Sequence, residues 1–155
     1  MDASPEARLR ELGIELPDPA PPVANYVGAV RVGDLLFVSG HGPYQNGEYV
    51  YLGKLGRELN VAAGEAAARI VMINFLASVK AELGTLDKVE RVVKLLVMVN
   101  SAPDFGDQPQ VANGASDLLV EIFGEERGKH ARSAVGMGAL PMQISVEIEG
   151  VLQVS

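Results

Sequence analysis

The period of apolar positions switches between that of a helix and that of a strand along this chain. Residues 61–83 place Met72, Leu76, Val79 and Leu83 at i, i+4, i+7 and i+11, with Ile73 beside them, which is one face of a helix. Its first turns, AAGEAAA, are small residues suited to close packing on a sheet. VERVVKLLVMVN (Val89–Asn100) is a strand whose second half is apolar on both faces, so it is expected to be central and covered on both sides. Val111, Ala115, Leu118, Leu119, Ile122 and Phe123 form the stripe of a second helix, closed by Gly124. VGAVRV and LLFVSG are strands joined by Gly33-Asp34, a two-residue hairpin turn with glycine first. Asn46-Gly47 is a second turn signal and precedes EYVYL, a third strand. HARSAVGM and QISVEIEGVLQV are the last two strands, joined near Leu140-Pro141; Ile144, Val146 and Ile148 alternate there with Ser145, Glu147 and Glu149.

At the N-terminus, Ser4 is suited to cap a helix, Pro5 to open it and Gly13 to stop it, which predicts a short helix over residues 5–12. The prolines of IELPDPAPP then impose extended chain. Residues 1–24 are therefore an N-terminal arm lying on a body formed by residues 25–155. The order arm-β-β-β-α-β-α-β-β predicts one α+β domain, a sheet with two helices packed on one face.

The length, 155 residues, suits a single domain, and 48% hydrophobic against 21% charged residues excludes wholesale disorder. No uninterrupted apolar run reaches the roughly 18–20 residues of a membrane span. MDASPEARLREL lacks the apolar core of a secretion signal, so the expected location is the cytosol. Lys and Arg number 13 against 20 Asp and Glu, a net charge of −7, which disfavours nucleic acid as a partner. The lack of cysteine excludes disulfides, thiolate nucleophiles and cysteine-ligated zinc. With only His41 and His130, far apart, a histidine-rich metal site is not expected.

Candidate chemistry is sparse. Ser39 in VSGHGP lacks the G-x-S-x-G elbow and reads as a turn serine at a strand end. The glycines of SGHGP and LGKLG match no nucleotide-binding loop, and Lys54 and Arg57 read as a solvated loop. His41 and His130 read as polar strand-end residues. Arg132 is more informative: in ARSAVGM its neighbours are small or apolar, and a cation buried there needs a partner. Glu147 and Glu149 share one strand face with Ser145, Val151 and Gln153. That face is either the solvated side of the sheet, with or without an ion pair, or a cleft holding a carboxylate of shifted pKa. In the second case an arginine supplies a planar clamp for a substrate carboxylate, and a glutamate handles a water.

VANYVGAVRVGDLLFVSGHGP, LGTLDKVERVVKLLVMVNSAPDF and above all HARSAVGMGALPMQISVEIEGV resemble the RidA/YjgF family, also described as reactive intermediate deaminases or endoribonuclease L-PSP-like proteins. The resemblance spans roughly residues 22–154, and its most specific part is the closing R-S-x-V…L-P…V-E-I-E pattern. The arm and the NGASDLL helix resemble a longer branch of the family.

The resemblance implies a chorismate-mutase-like α+β fold, a homotrimer and sites in the clefts between subunits. It also implies cofactor-free hydrolysis of enamine or imine intermediates such as 2-aminoacrylate to 2-keto acids and ammonia. Carried over by position, Arg132 matches the arginine that grips a substrate carboxylate and Glu147 the glutamate beside the attacking water. Tyr26 matches a cleft tyrosine, while Ser39, Gly40, Asn113 (opening the second helix) and the Ala134 backbone match other pocket positions. The expected partner is a small carboxylate-bearing metabolite. Three departures bear on substrate identity: a longer loop over residues 105–113, His41 in place of a common glutamine, and Ala134 in place of a frequent cysteine. Two other functions fit the same residues, a binder of small carboxylates without turnover and an RNA-cleaving or translation-inhibiting protein.

Overall fold

The structure, a computed structural model, describes residues 3–155. Ser4 caps α1 (Pro5–Glu11) by accepting from the Ala7 N–H at 3.3 Å, and Gly13 at φ +67° takes the chain out of the helix. Leu9 of this helix is buried in the core, and Glu6 accepts from Lys80 Nζ and from the Leu86 N–H, both at 2.9 Å. β1 (Ala29–Val32) and β2 (Leu35–His41) pair through a Gly33-Asp34 turn with Gly33 at φ +61°, as their spacing predicts.

The Asn46-Gly47 turn, at φ +53° and +88°, closes a separate hairpin of β3 (Tyr44–Gln45) and β4 (Glu48–Tyr49). The expected third strand over EYVYL is thus cut short. Tyr51 adopts φ +54° and Gly53 φ +112°, conformations that a strand ladder cannot hold. α2 (Val61–Leu83) and β5 (Val89–Asn100) lie where the periodicity puts them. α3 (Gln108–Gly128) opens earlier than expected, because Pro109 is suited to a first helical turn; Asn113 therefore sits inside the helix instead of opening it. Gly124 breaks the helical dihedrals at φ +77°, yet one more turn follows to Gly128. β6 (Ala131–Met137) and β7 (Val146–Val154) complete a five-stranded sheet in the order β1-β2-β7-β5-β6, antiparallel except between β5 and β6.

α2 and α3 cover one face of this sheet. Met72, Phe75 and Leu76 of α2 and Leu118, Leu119 and Ile122 of α3 are buried in one core with Leu36, Leu95, Ile148 and Leu152. By length and composition α2 would also suffice to cross a membrane, but here its apolar side chains form this core. Among the described residues, no element covers the other face. Across it run the rows Val30–Phe37–Val151–Lys94, Glu149–Leu96–Ser133 and Glu147–Met98–Val135. Val30 is 51% exposed, Phe37 46% and Val135 39%. The expectation for β5 is therefore met on one side only: Leu95, Val97 and Val99 are buried, while Leu96 and Met98 are half-buried. Ser145, expected to share a face with Glu147, lies fully buried just ahead of β7.

A candidate active site split across the sheet

Arg132 is in register with Leu95, so it faces α3. Its guanidinium donates to Asn113 Oδ1 at 2.9 Å, Ser116 Oγ at 3.1 Å and the Pro109 carbonyl at 3.4 Å. These acceptors are neutral, and among the described residues no carboxylate forms an ion pair with it. The charge is oriented without being cancelled, which is the state an anion clamp requires. Behind the guanidinium, His130 Nδ1 lies 2.7 Å from the Gly128 carbonyl, an oxygen that can only accept. The neutral ring therefore carries its proton on Nδ1, and Nε2 accepts the Ser116 hydroxyl at 3.0 Å. Burial, and then the nearby Arg132 charge, hold His130 below the usual histidine range against the opposing Gly128 bond. Ser116 is thus turned to present lone pairs to Arg132. Ala134 lies two residues on along β6, on the same side, packed against the core.

A second cluster gathers at β2 and β7. The pairing of these strands shifts register between Val38 and His41, a bulge that redirects Ser39 and Gly40. The Ser39 hydroxyl donates to the Val27 carbonyl at 2.6 Å. A Cβ on Gly40 would stand 2.8 Å from Glu147 Oε1, so glycine leaves the room that this carboxyl occupies. Burial, and then the charge of Glu149, push Glu147 above the usual carboxylate range. Neither glutamate forms an ion pair among the described residues; Glu149 is exposed and Glu147 half-buried. Tyr26, 52% exposed, belongs to the same neighbourhood: burial and then Tyr26, Tyr44 and Glu147 together push the Tyr49 phenol up. His41 bonds the Ser39 carbonyl through Nδ1 (2.6 Å) and Ser78 Oγ through Nε2 (2.7 Å), with its ring edge-on to Phe75. Tyr26, Ser39, Gly40 and His41 line a cavity of about 560 Å³ between the arm, the β3–β4 hairpin and α2.

The two clusters do not meet within one chain. Glu147, Met98 and Val135 share a row, two strand spacings wide, and Arg132 lies three residues before Val135. At about 4.8 Å per strand and 3.3 Å per residue, the two Cα atoms are roughly 14 Å apart. Arg132 also faces the helices and Glu147 the bare side. Of the residues expected at the site, the structure brings Arg132, Asn113 and Ala134 together, and separately Tyr26, Ser39, Gly40 and Glu147. Sequence reasoning missed Ser116, though it stands one turn from Asn113, and it gave no role to His130, His41 or Ser78. Lys54 also leaves the expected solvated loop, its Nζ pinned to Asn100 Oδ1 at 2.7 Å and to the Gly138 carbonyl.

Comparison with known proteins supplies the context. Residues 6–148 match the YjgF/chorismate mutase-like family, an endoribonuclease family by its description. Protein TCP17 of Trypanosoma cruzi is 47% identical over 149 residues, 96% of this chain and 93% of that protein. The crystal structure of Atu1372 from Agrobacterium tumefaciens, a protein of unknown function, is 44% identical, with a TM-score of 0.88 over 97% of this chain and 91% of that one. The crystal structure of the E. coli YjgF gene product is 29% identical, with a TM-score of 0.63 over 88% of this chain and 92% of that one. The α+β architecture and the sequence match together place the chain in the YjgF/RidA family.

Proposed function

We propose that this protein hydrolyses 2-imino acids, the tautomers of 2-aminoacrylate-type enamines, to 2-keto acids and ammonia. The observation that carries the reading is the Arg132 guanidinium, aimed by Asn113, Ser116 and Pro109 and left without a carboxylate partner among the described residues. Those bonds engage three of the five N–H donors of a guanidinium, and the others suit a substrate carboxylate.

An imine carbon is already electrophilic, so the protein's work is to hold the carboxylate and place one water. With the imine nitrogen already protonated, the water oxygen bonds to C2, the C=N π pair moves to nitrogen and Glu147 takes a proton from that water, giving a neutral carbinolamine. Glu147 then returns that proton to nitrogen, the C–N bond breaks and ammonia leaves, while the hydroxyl gives its proton to solvent as it becomes the keto oxygen. A carboxyl raised by burial suits this two-way traffic. The chemistry calls for no metal or cofactor, and a net charge of −7 supports a small-molecule substrate over RNA.

Arg132 and Glu147 of one chain face opposite ways, so the reading requires a second copy whose Arg132 edge lies over the first copy's Glu147. The uncovered apolar residues Val30, Phe37 and Val135 supply contact area, and the assembly proposed is a closed homotrimer. The test generates 2-aminoacrylate with a dehydratase and follows keto-acid and ammonia release beside calorimetric titration with pyruvate. Wild type is expected to accelerate release. Arg132→Ala should lose pyruvate binding, whereas Glu147→Gln should keep it and slow turnover by roughly 10²–10⁴-fold. Pyruvate binding without any acceleration would leave a carboxylate binder and refute the deaminase.

A further inference from the structure

The cavity of about 560 Å³ between the arm, the β3–β4 hairpin and α2 falls within the range of small-molecule pockets. Neither Arg132 nor Glu147 lines it, and the Gly40 backbone stands between it and the Glu147 carboxyl, so it is a compartment of its own. Ile70, Ile73 and Ala77 of α2 give it aliphatic walls. Tyr26, Tyr44 and Tyr49 also line it, and the rings of the last two meet at 70° with centroids 5.2 Å apart. Rings set at an angle around one space form the kind of aromatic box that holds an ammonium group against their negative faces. The charges of the lining have one sign: Glu15 and Asp18 of the arm are carboxylates, and no described lysine or arginine lines the space. Burial holds His41 below the usual histidine range, outweighing its bond to the Ser39 carbonyl, so the ring adds no positive charge near neutral pH. Gln45, Asn46 and the tyrosine hydroxyls donate as well as accept; being neutral, they leave that sign unchanged. The roof has few ties. Residues 17–23 make no hydrogen bond to the rest of the described chain, and Pro17, Pro19, Pro21 and Pro22 have no N–H to give.

We propose that this cavity is a binding site for an organic cation, an alkylammonium group carried on an apolar body, separate from the site of Arg132 and Glu147. The tyrosine rings and the two arm carboxylates hold the ammonium head, and the aliphatic walls on α2 take the hydrocarbon. A carboxylate ligand is disfavoured there, because it would be brought beside Glu15 and Asp18 with no cation to neutralise it. The chain then carries two sites of opposite preference, an anion clamp at Arg132 and a cation box beneath the arm.

NMR titration of the wild-type chain at physiological salt, with choline as the probe, tests this. Choline is expected to bind saturably, and its neutral isostere 3,3-dimethylbutan-1-ol about ten-fold or more weakly. Tyr44→Leu keeps apolar bulk and loses a ring, while Asp18→Asn removes one charge from an exposed arm residue. Each should weaken choline binding by about three-fold or more. Glu126→Gln removes the same charge from an exposed position on α3 outside the cavity and should change it by less than about two-fold. The proposal is overturned if choline does not saturate, if the isostere binds as tightly, or if folded Tyr44→Leu binds as wild type does. Equal losses in Asp18→Asn and Glu126→Gln would reduce the effect to general attraction by an acidic chain, and displacement of choline by pyruvate would put it at the other site; either overturns it too. Should Tyr44→Leu fail to fold, the isostere and Asp18→Asn decide.

Discussion

Gly40→Ala perturbs the site by one methyl group. The added carbon would stand 2.8 Å from Glu147 Oε1, 3.0 Å from Cδ and 3.2 Å from Cγ. Carbon contacts are comfortable at about 3.5 Å, so the carboxyl must retreat by roughly 0.5 Å. Gly40 is not among the positive-φ glycines, so alanine brings no backbone strain, and the atoms displaced are the end of a half-buried side chain. Stability should therefore change by less than about 1 kcal/mol, a shift of no more than about 4 °C in Tm for a chain this size. Function should suffer more. A misplacement of about 1 Å at a reacting group costs on the order of 100-fold, so about ten-fold is expected here in kcat/KM for ammonia release. Thermal melts beside the dehydratase-coupled assay measure both quantities. In a Glu147→Gln background the same substitution should cost almost nothing further, because the group proposed to handle the proton is already gone. An equal fold-loss in both backgrounds, or an unchanged kcat/KM in folded Gly40→Ala, would refute the reasoning.

Ser116→Ala and His130→Ala should each weaken keto-acid binding by about 3–10-fold without unfolding the chain, since each removes one link behind Arg132; calorimetry checks this. Glu147 is held above its unfolded value of 4.5, so the folded chain gives up that proton less readily and loses stability as pH rises through the raised value. Melting as a function of pH should accordingly find Glu147→Gln more stable than wild type at neutral pH, with no difference below about pH 4. Burial pushes Glu6 up, but the Leu86 N–H and Lys80 outweigh it and hold the carboxyl below 4.5, so its contribution is present above that value and lost as pH falls through the lowered one. Glu6→Ala should therefore cost about 1–2 kcal/mol near pH 7, with the difference from wild type shrinking in acid.

The elements with long, regular apolar periods were legible in the sequence: α2, β5, the β1–β2 hairpin and the last strand. Failures occurred where one backbone angle or one neighbour decided the outcome. EYVYL has strand composition, but Tyr51 at φ +54° ends the pairing, and nothing about a tyrosine announces a left-handed conformation. An apolar residue on β5 looks the same in the sequence whether or not a helix of its own chain covers it, so Leu96 and Met98 could not be told apart from Leu95 and Val97. Arg132 stood out by residue type. Its support did not, because no local pattern tells which helix lies beside β6; only the parallel β5–β6 pairing brings Ser116 and His130 under the guanidinium. The same ladder, running β7 to β5 to β6, puts Arg132 and Glu147 on opposite faces, and that separation depends on a register set in three dimensions.

The claim that a working site is shared between copies is tested most directly by mixing two dead variants. Arg132→Ala and Glu147→Gln chains, unfolded and refolded together in equal amounts, would form closed oligomers in which about one interface in four pairs an intact Arg132 with an intact Glu147. Ammonia release from the mixture should recover to about a quarter of the wild-type rate while each variant alone stays near background. Mixed oligomers, verified by mass, that recover no activity would contradict the account, as would a wild-type chain that sediments as a monomer while fully active.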